Sequence, residues 1–289
     1  MRIFVAGATG AIGRQLVPQL LHAGHEVVGT SRTDTGVERI RLQGAEAVRV
    51  GAFDRDGLLE AVVSAGPDAI VHQLTDLASA DSAANGRLRR EGTRNLVDAA
   101  KAAGVRRIVA QSICWTYAPG DTPADESVPL DDRPDMPRAA MVASVRALEE
   151  TVAELETAVV LRYGLLYGPG TWYGPGGAIA AALNGDAPAR FLGSRVANDS
   201  VSSFVHVADA ARAAVLALDW PSGPVNIVDD EPAPAREWLP MLAKALDVPA
   251  PEPSPGRDDW ARGADNRLAR SRGWQPTRPS WRTGFADQL

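Results

Sequence analysis

The stretch Ile3-Phe4-Val5-Ala6-Gly7-Ala8-Thr9-Gly10-Ala11-Ile12-Gly13 decides the architecture. Four apolar residues bounded by glycine read as a buried strand. The segment behind them spaces Ile12, Leu16 and Leu20 four residues apart, one face of a helix. Glycines between a strand and a helix permit a tight turn and close backbone approach, at a helix N-terminus whose N–H groups favour an anion. The unit reads as a seat for a pyrophosphate.

Working outward, short apolar runs recur at residues 26–30, 45–50, 69–72, 107–110 and 158–161, with helix-period segments between them. Strands alternating with helices predict βαβ units and a parallel sheet buried on both faces. Two βαβαβ repeats predict a doubly wound α/β sheet with ligands at the carboxyl ends of its strands, where the long loops 74–87 and 114–138 leave it. Beyond residue 165 glycine and proline punctuate shorter elements: a helix within 205–218, a strand at 225–228, a helix at 235–246 and a proline-rich turn at 249–258. The expected division is a nucleotide domain over 1–165 and a smaller substrate-binding lobe over 166–289, with some late elements packing back on the sheet.

Composition narrows the function. In 289 residues, 45% are hydrophobic and 23% charged, enough for a full core. A net charge of −6 argues against nucleic acid as a partner. The single cysteine, Cys114, leaves no intrachain disulfide and no thiolate-rich metal site, and no histidine pair has metal-ligand spacing, so no metal is expected. Neither a signal-like h-region nor a run of about 20 apolar residues is present, so a soluble cytoplasmic protein without a membrane partner is expected. Of the 30 basic residues only Lys101 and Lys244 are lysine, which leaves two candidates for any lysine-dependent chemistry.

At the end of the second strand, where an acid would accept from an NAD ribose, the chain has Gly29-Thr30-Ser31-Arg32. A hydroxyl and a guanidinium suit a 2′-phosphate and a carboxylate would repel it, so NADP(H) is the expected cofactor, with Ser31 and Arg32 reading the phosphate.

These features resemble the extended and atypical short-chain dehydrogenase/reductase family, the NAD-dependent epimerase/dehydratase-like proteins. Val71-His72-Gln73-Leu74-Thr75 resembles the family's fourth-strand segment and Gly92-Thr93-Arg94-Asn95-Leu96 its next-helix motif. Residues Arg162 to Gly170 resemble the sixth-strand LRY…YGPG segment, and Phe204 to Asp209 the FVHVxD motif. The resemblance implies a Rossmann fold. It also implies cofactor contacts from Gly7, Thr9, Gly10, Ala11, Ile12, Gly13, Ser31, Arg32, Phe53, Gln73, Leu74, Asn95, Tyr163, Gly164 and Leu165.

The family's Tyr-x-x-x-Lys pair is missing. Its slots fall on Met141 and Val145, in a segment whose apolar residues Met141, Val145, Leu148, Val152 and Leu155 recur at helical spacing. The place of the family's serine falls on Ser112 or, one residue on, Ile113; Ser112 and Tyr117 are the remaining catalytic candidates, with Trp115, Trp172 and Tyr173 as substrate-binding walls. A general acid contributes about 10²–10⁴-fold, whereas positioning reaches effective molarities of about 10⁵–10⁸ M, so hydride transfer survives loss of the acid if the substrate stabilises its own alkoxide. An NADP-type fold without Tyr/Lys resembles reductases of aromatic polyketide biosynthesis. The expected activity is NADPH-dependent, substrate-assisted reduction of a ketone on a bulky, polycyclic, angucyclinone-like aromatic. A sugar-nucleotide epimerase or dehydratase and a noncatalytic NADP-binding regulator are the alternatives.

Among the other polar groups, His72 and His206 sit between apolar neighbours and are expected to be structural. Asp76 and Asp81 could orient a polar substrate group, and Trp220 and Phe191 offer further flat apolar surface. The arginines between Arg257 and Arg282 are expected to face acids within the same tail and to form a solvated surface.

Overall fold

A computed structural model describes residues 1–75, 81–185 and 196–288. In chain order the elements are β1 (Arg2–Ala6), α1 (Ala11–His22), β2 (Glu26–Ser31), α2 (Asp34–Leu42), β3 (Glu46–Arg49), α3 (Arg55–Ala65), β4 (Ala69–His72), α4 (Ser82–Arg87), α5 (Thr93–Ala102), β5 (Arg107–Ile113) and α6 (Ala139–Val152). They continue with β6 (Thr157–Tyr163), β7 (Leu165–Tyr167), α7 (Ala178–Leu183), β8 (Val201–Ser202), β9 (Phe204–His206), α8 (Val207–Leu216), β10 (Gly223–Ile227), β11 (Ala233–Pro234), α9 (Ala235–Ala245), α10 (Arg267–Ser271) and α11 (Trp281–Gln288). A π-helical turn, Leu88–Gly92, joins α4 to α5. Among these residues no helix is long and apolar enough to cross a membrane.

The main sheet has seven strands in the order β10-β6-β5-β4-β1-β2-β3, with β1 in its interior. The β1–β2, β1–β4, β2–β3 and β4–β5 pairs are parallel. The strand order reverses at β1, which places the glycine loop at the switch point, the crevice such sheets use for ligands. Doubly wound parallel topology, expected from the alternating runs, is therefore what forms. The apolar run of β1 is buried throughout from Ile3 to Ala6, because helices cover both faces of a parallel sheet. Helix α1 buries the expected stripe of Ile12, Leu16 and Leu20, joined by Gly13 and Val17.

Two compact units divide the chain. The first comprises Met1–Ser112, Asp132–Leu161 and Ala211–Pro224, and the second Ile113–Asp131, Arg162–Ala210 and Val225–Leu289. The first unit's core gathers Phe4, Val28, Leu58, Val62, Ile70, Leu96, Ile108, Leu148 and Val160 from strands and helices alike. Within the second unit, Tyr167, Tyr173, Phe204, Trp238, Trp281 and Phe285 form an aromatic cluster, its rings meeting largely edge to face at centroid separations such as 5.1 Å for Phe204–Trp238 and 5.2 Å for Tyr167–Phe285.

Candidate active site

In the first unit the chain leaves β1 through Gly7 at φ +94°, a conformation that favours glycine. A Cβ there would lie 2.5 Å from the Gln73 carbonyl oxygen, and a Cβ on Gly13 would lie 2.3 Å from the Gly7 carbonyl oxygen. The two glycines let the loop, the end of β4 and the first turn of α1 meet backbone to backbone. Gly10 caps α1 in an extended conformation, no side chain caps that turn, and no acid occupies it. Open N–H groups at the positive end of a helix dipole, beside a cradle that any side chain would fill, fit a dinucleotide pyrophosphate. The Gly7 amide donates to Thr30 Oγ1 at 3.3 Å, tying the loop to β2.

At the end of β2, Ser31 is buried and its Oγ accepts from the Thr33 amide at 3.2 Å, while Arg32 is exposed. Thr33 caps α2 through the Gly36 amide at 3.1 Å. The nearest following acid, Asp34, pairs with Arg49 at 3.1 Å. Phe53 is exposed under the Arg87 guanidinium, 4.2 Å from the ring centroid. Asn95 Nδ2 donates to the Ala52 carbonyl at 3.0 Å, so this side chain holds the loop before Phe53 in place. Leu74 accepts from Gln111 Nε2 and donates its amide to His72 Nδ1 at 3.2 Å. Tyr163, Gly164 and Leu165 lie in the second unit. Tyr163 OH donates to the Ala210 carbonyl at 3.3 Å, and the Leu165 amide donates to the Ser203 carbonyl at 2.8 Å.

Met141 and Val145 both lie on helix α6. Val145 is buried and Met141 half-buried, and neither carries a group that exchanges a proton. The hydroxyl of Ser112, at the end of β5, donates to Glu149 Oε1 at 2.6 Å, a partner two helical turns beyond Met141. Lys101 pairs with Glu154 at the edge of α5, and Lys244 is exposed on α9. Also on α6, Ser144 Oγ accepts from Arg89 at 3.3 Å.

Tyr117 lies in the second unit, buried, and its hydroxyl donates to Asn226 Oδ1 at 2.6 Å. Burial, ahead of the opposing effect of Arg162, pushes its pKa above the ordinary phenol range, so its proton is committed rather than offered. Tyr173 is equally buried, edge-on to Phe204 at 5.8 Å and to Trp238 at 6.2 Å, which makes it part of the aromatic core. Trp172 packs partly against that cluster, and Trp115 against the cluster of Cys114, Tyr117, Ala124, Val228 and Ala264.

Both histidines are held as the sequence suggests. His72 is buried between Thr93 Oγ1 at 2.9 Å and the Leu74 amide, and desolvation lowers its pKa to about 4. His206 accepts from the Ala208 amide at 3.2 Å and stands edge-on to Tyr167 at 5.2 Å, its pKa likewise drawn by burial to about 4. Among the described residues no cluster of His, Cys, Asp or Glu is arranged to hold a metal ion. Asp76 and Phe191 lie outside the described residues, whereas Asp81 caps α4 through the Ala83 and Ala84 amides. Trp220 is buried.

The arginines of the C-terminal segment require a correction. They do not simply face solvent: Arg262 donates to the carbonyls of Ala118, Pro119 and Thr122, and Arg282 binds Glu231 and Glu237. Sequence reading also passed over the structural role of Asp209. This buried acid of the FVHVxD motif accepts from the Thr277 and Arg278 amides and from Thr277 Oγ1, anchoring the closing segment.

The profile of the NAD dependent epimerase/dehydratase family matches residues 3–228. A 3-diazoavenalumate denitrifying reductase of a Streptomyces species is 44% identical over 311 aligned residues, covering 99% of each chain. A 4-hydroxy-2-methyl-3-oxo-4-farnesyl-3,4-dihydroquinoline-1-oxide ketoreductase of Stigmatella aurantiaca is 28% identical and covers 86% of this chain and 75% of its own. Among solved structures, the UDP-glucose 4-epimerase of Thermus thermophilus in complex with NAD is 26% identical, with a TM-score of 0.75 and 100% of both chains covered.

Proposed function

The chain belongs to the NAD dependent epimerase/dehydratase family, and from that premise we propose that it is an NADPH-dependent reductase of an aromatic electrophile whose reduction needs no proton from the protein. Its chemistry is that of an oxidoreductase with a nicotinamide cofactor. The observation that carries the finer reading is the apolar pair Met141 and Val145 on α6. Two further observations support it: the Ser112 proton is given to Glu149 and the Tyr117 proton to Asn226. The glycine loop and the first turn of α1 would hold the pyrophosphate. Ser31 and Arg32 would hold the 2′-phosphate that favours NADPH over NADH.

An aryl diazonium meets the requirement most simply, and the 44% identical relative is named for removing such a group. When bound, the reduced nicotinamide would supply the hydride that replaces the diazo group, the C–H bond forming as the C–N bond breaks, with N₂ carrying away the bonding pair. No oxygen becomes charged, so apolar residues at 141 and 145 cost nothing. A ketone beside a phenolic hydroxyl is the second reading, including one on a bulky polycyclic, angucyclinone-like aromatic, and the ketoreductase relative favours it. There the substrate's own hydroxyl would hydrogen-bond the nascent alkoxide. Epimerisation or dehydration of a sugar nucleotide fits less well, because oxidising an alcohol requires a base to take its proton and Met141 and Val145 are not bases.

The test is to incubate the protein with an arenediazonium salt, or separately with a 2-hydroxyaryl ketone, and NADPH deuterated at C4. Mass spectrometry should find the deuterium on the ring carbon that lost nitrogen, with one N₂ released per NADPH consumed. Reduction of the hydroxyaryl ketone alone selects the second reading. Oxidation of NADPH with neither acceptor would remove both.

A further inference from the structure

We infer that Arg89 is the receptor for a carboxylate on the aromatic substrate, an inference that rests on the reductase reading above and names the substrate class of that site. Arg89 sits in the π-helical turn Leu88–Gly92, between α4 and α5, a wider turn of the kind that re-aims side chains at functional sites. The turn brings the guanidinium to α6, where it donates to Ser144 Oγ at 3.3 Å. Ser144 is fully buried and spends its own proton on the Met141 carbonyl at 2.7 Å, so it meets the cation as a neutral acceptor only. Ser144 directly precedes Val145 and lies one turn beyond Met141. Arg89 therefore flanks the helix segment that carries both apolar slots.

Among the described residues, Glu91 of the same turn, Glu149 of α6 and Glu154 just beyond it each have a partner other than Arg89. Glu91, on the same turn, takes two hydrogen bonds from Arg87 at 2.6 and 3.0 Å. Glu149 takes the Ser112 hydroxyl, and Glu154 takes Arg94 and Lys101. Among the described residues no carboxylate pairs with Arg89, although Arg2, Arg41, Arg94, Arg270 and Arg282 all have one. Burial draws its pKa down to about 10, the direction expected of a desolvated cation without an opposite charge. A half-buried guanidinium held by one neutral hydroxyl is under-compensated. Its planar fork matches a carboxylate bidentately, and the bond would return what desolvation costs. An aryl carboxylate with its acid here would lay its ring along the α6 segment of Met141 and Val145.

The experiment measures binding to the NADP⁺-loaded protein, with benzoate, cinnamate and 4-hydroxycinnamate as probes, each against its methyl ester. Wild-type protein should bind at least one acid about tenfold or more tighter than its ester. Arg89→Met should abolish that preference while leaving ester and NADP⁺ affinities within about twofold, and Arg89→Lys should keep part of it. Equal loss for acid and ester, loss of NADP⁺ affinity, or a wild-type protein without acid preference overturns the inference. If Arg89→Met does not fold, the wild-type and Arg89→Lys comparisons still decide. No turnover is involved, so the two readings fail separately. Absent hydride transfer with an intact acid preference removes the reductase reading, and intact transfer without preference removes this one.

Discussion

Ser112 Oγ donates to Glu149 Oε1 at 2.6 Å, joining the end of β5 to the third turn of α6. A serine whose proton already serves a carboxylate cannot give it to a substrate oxygen without first breaking that bond. The pair reads as a strut between sheet and helix. Ser112→Ala should lower kcat by no more than about tenfold, against the ~10²–10⁴ expected for loss of a true general acid. It should also cost about 1 kcal/mol of stability in urea, the scale of one hydrogen bond to a partly solvated charge. A thousandfold loss of kcat with stability unchanged would give Ser112 a chemical role.

Gly13→Ala should abolish dinucleotide binding, because its Cβ would stand 2.3 Å from the Gly7 carbonyl oxygen and 2.6 Å from the carbonyl group of Ala8. Relief requires moving the first turn of α1 away from the loop, and with it the N–H groups that hold the pyrophosphate. Titration with NADP⁺ and with NAD⁺ should show both lost together. Retained binding of either would show that the loop is not the phosphate seat.

Cofactor choice is tested at the end of β2, where Arg32 is exposed beside the buried Ser31. Arg32→Ala should weaken NADPH by about 1.5–3 kcal/mol, the worth of a hydrogen bond to a charged group, and leave NADH nearly unmoved. Equal losses for the two would mean that Arg32 does not read the 2′-phosphate.

Legibility in the sequence followed the range of the interactions. The glycine loop, the β1 strand and the stripe of Ile12, Leu16 and Leu20 are local, set by backbone freedom and side-chain period, and the structure reproduces them. The absence of tyrosine and lysine from α6 is likewise local, since Met141 and Val145 lie on one helix. What escaped reading depends on partners far apart in the chain. Glu149 waits 37 residues beyond Ser112, and Asn226 lies 109 residues beyond Tyr117, so the hydroxyls of both catalytic candidates are spent on partners that local pattern does not show. Arg262 looks like one more charged tail residue until its carbonyl partners 140 and more residues away are seen. Arg89 escaped because a π-helical turn breaks the 3.6-residue period by which its direction would be judged.

The protein should lose stability in mild acid. His72 is buried and neutral, with its pKa lowered by desolvation from 6.5 to about 4. Below about pH 6.5 the unfolded chain takes a proton that the folded one refuses. Stability is therefore constant above that pH, falls as pH drops toward 4, and levels below it, by about 3 kcal/mol from this residue alone. His206 adds to the same slope. Urea titrations at a series of pH values should show the decline, and His72→Asn should flatten it. A decline unchanged in that variant would place the sensitivity elsewhere.

Whether any protein proton moves with the hydride is decided by the solvent isotope effect on a single turnover. The NADPH-loaded protein should be mixed with an arenediazonium in H₂O and in D₂O, at pH values from about 6 to about 8.5 where neither His72 nor His206 is charged. Rates in the two solvents should be equal, with a flat pH profile and no solvent deuterium on the product carbon. A rate about twofold or more slower in D₂O, with an ionisation in the pH profile, would mean that a protein acid acts in the transition state and would contradict a reduction that needs no proton from the protein.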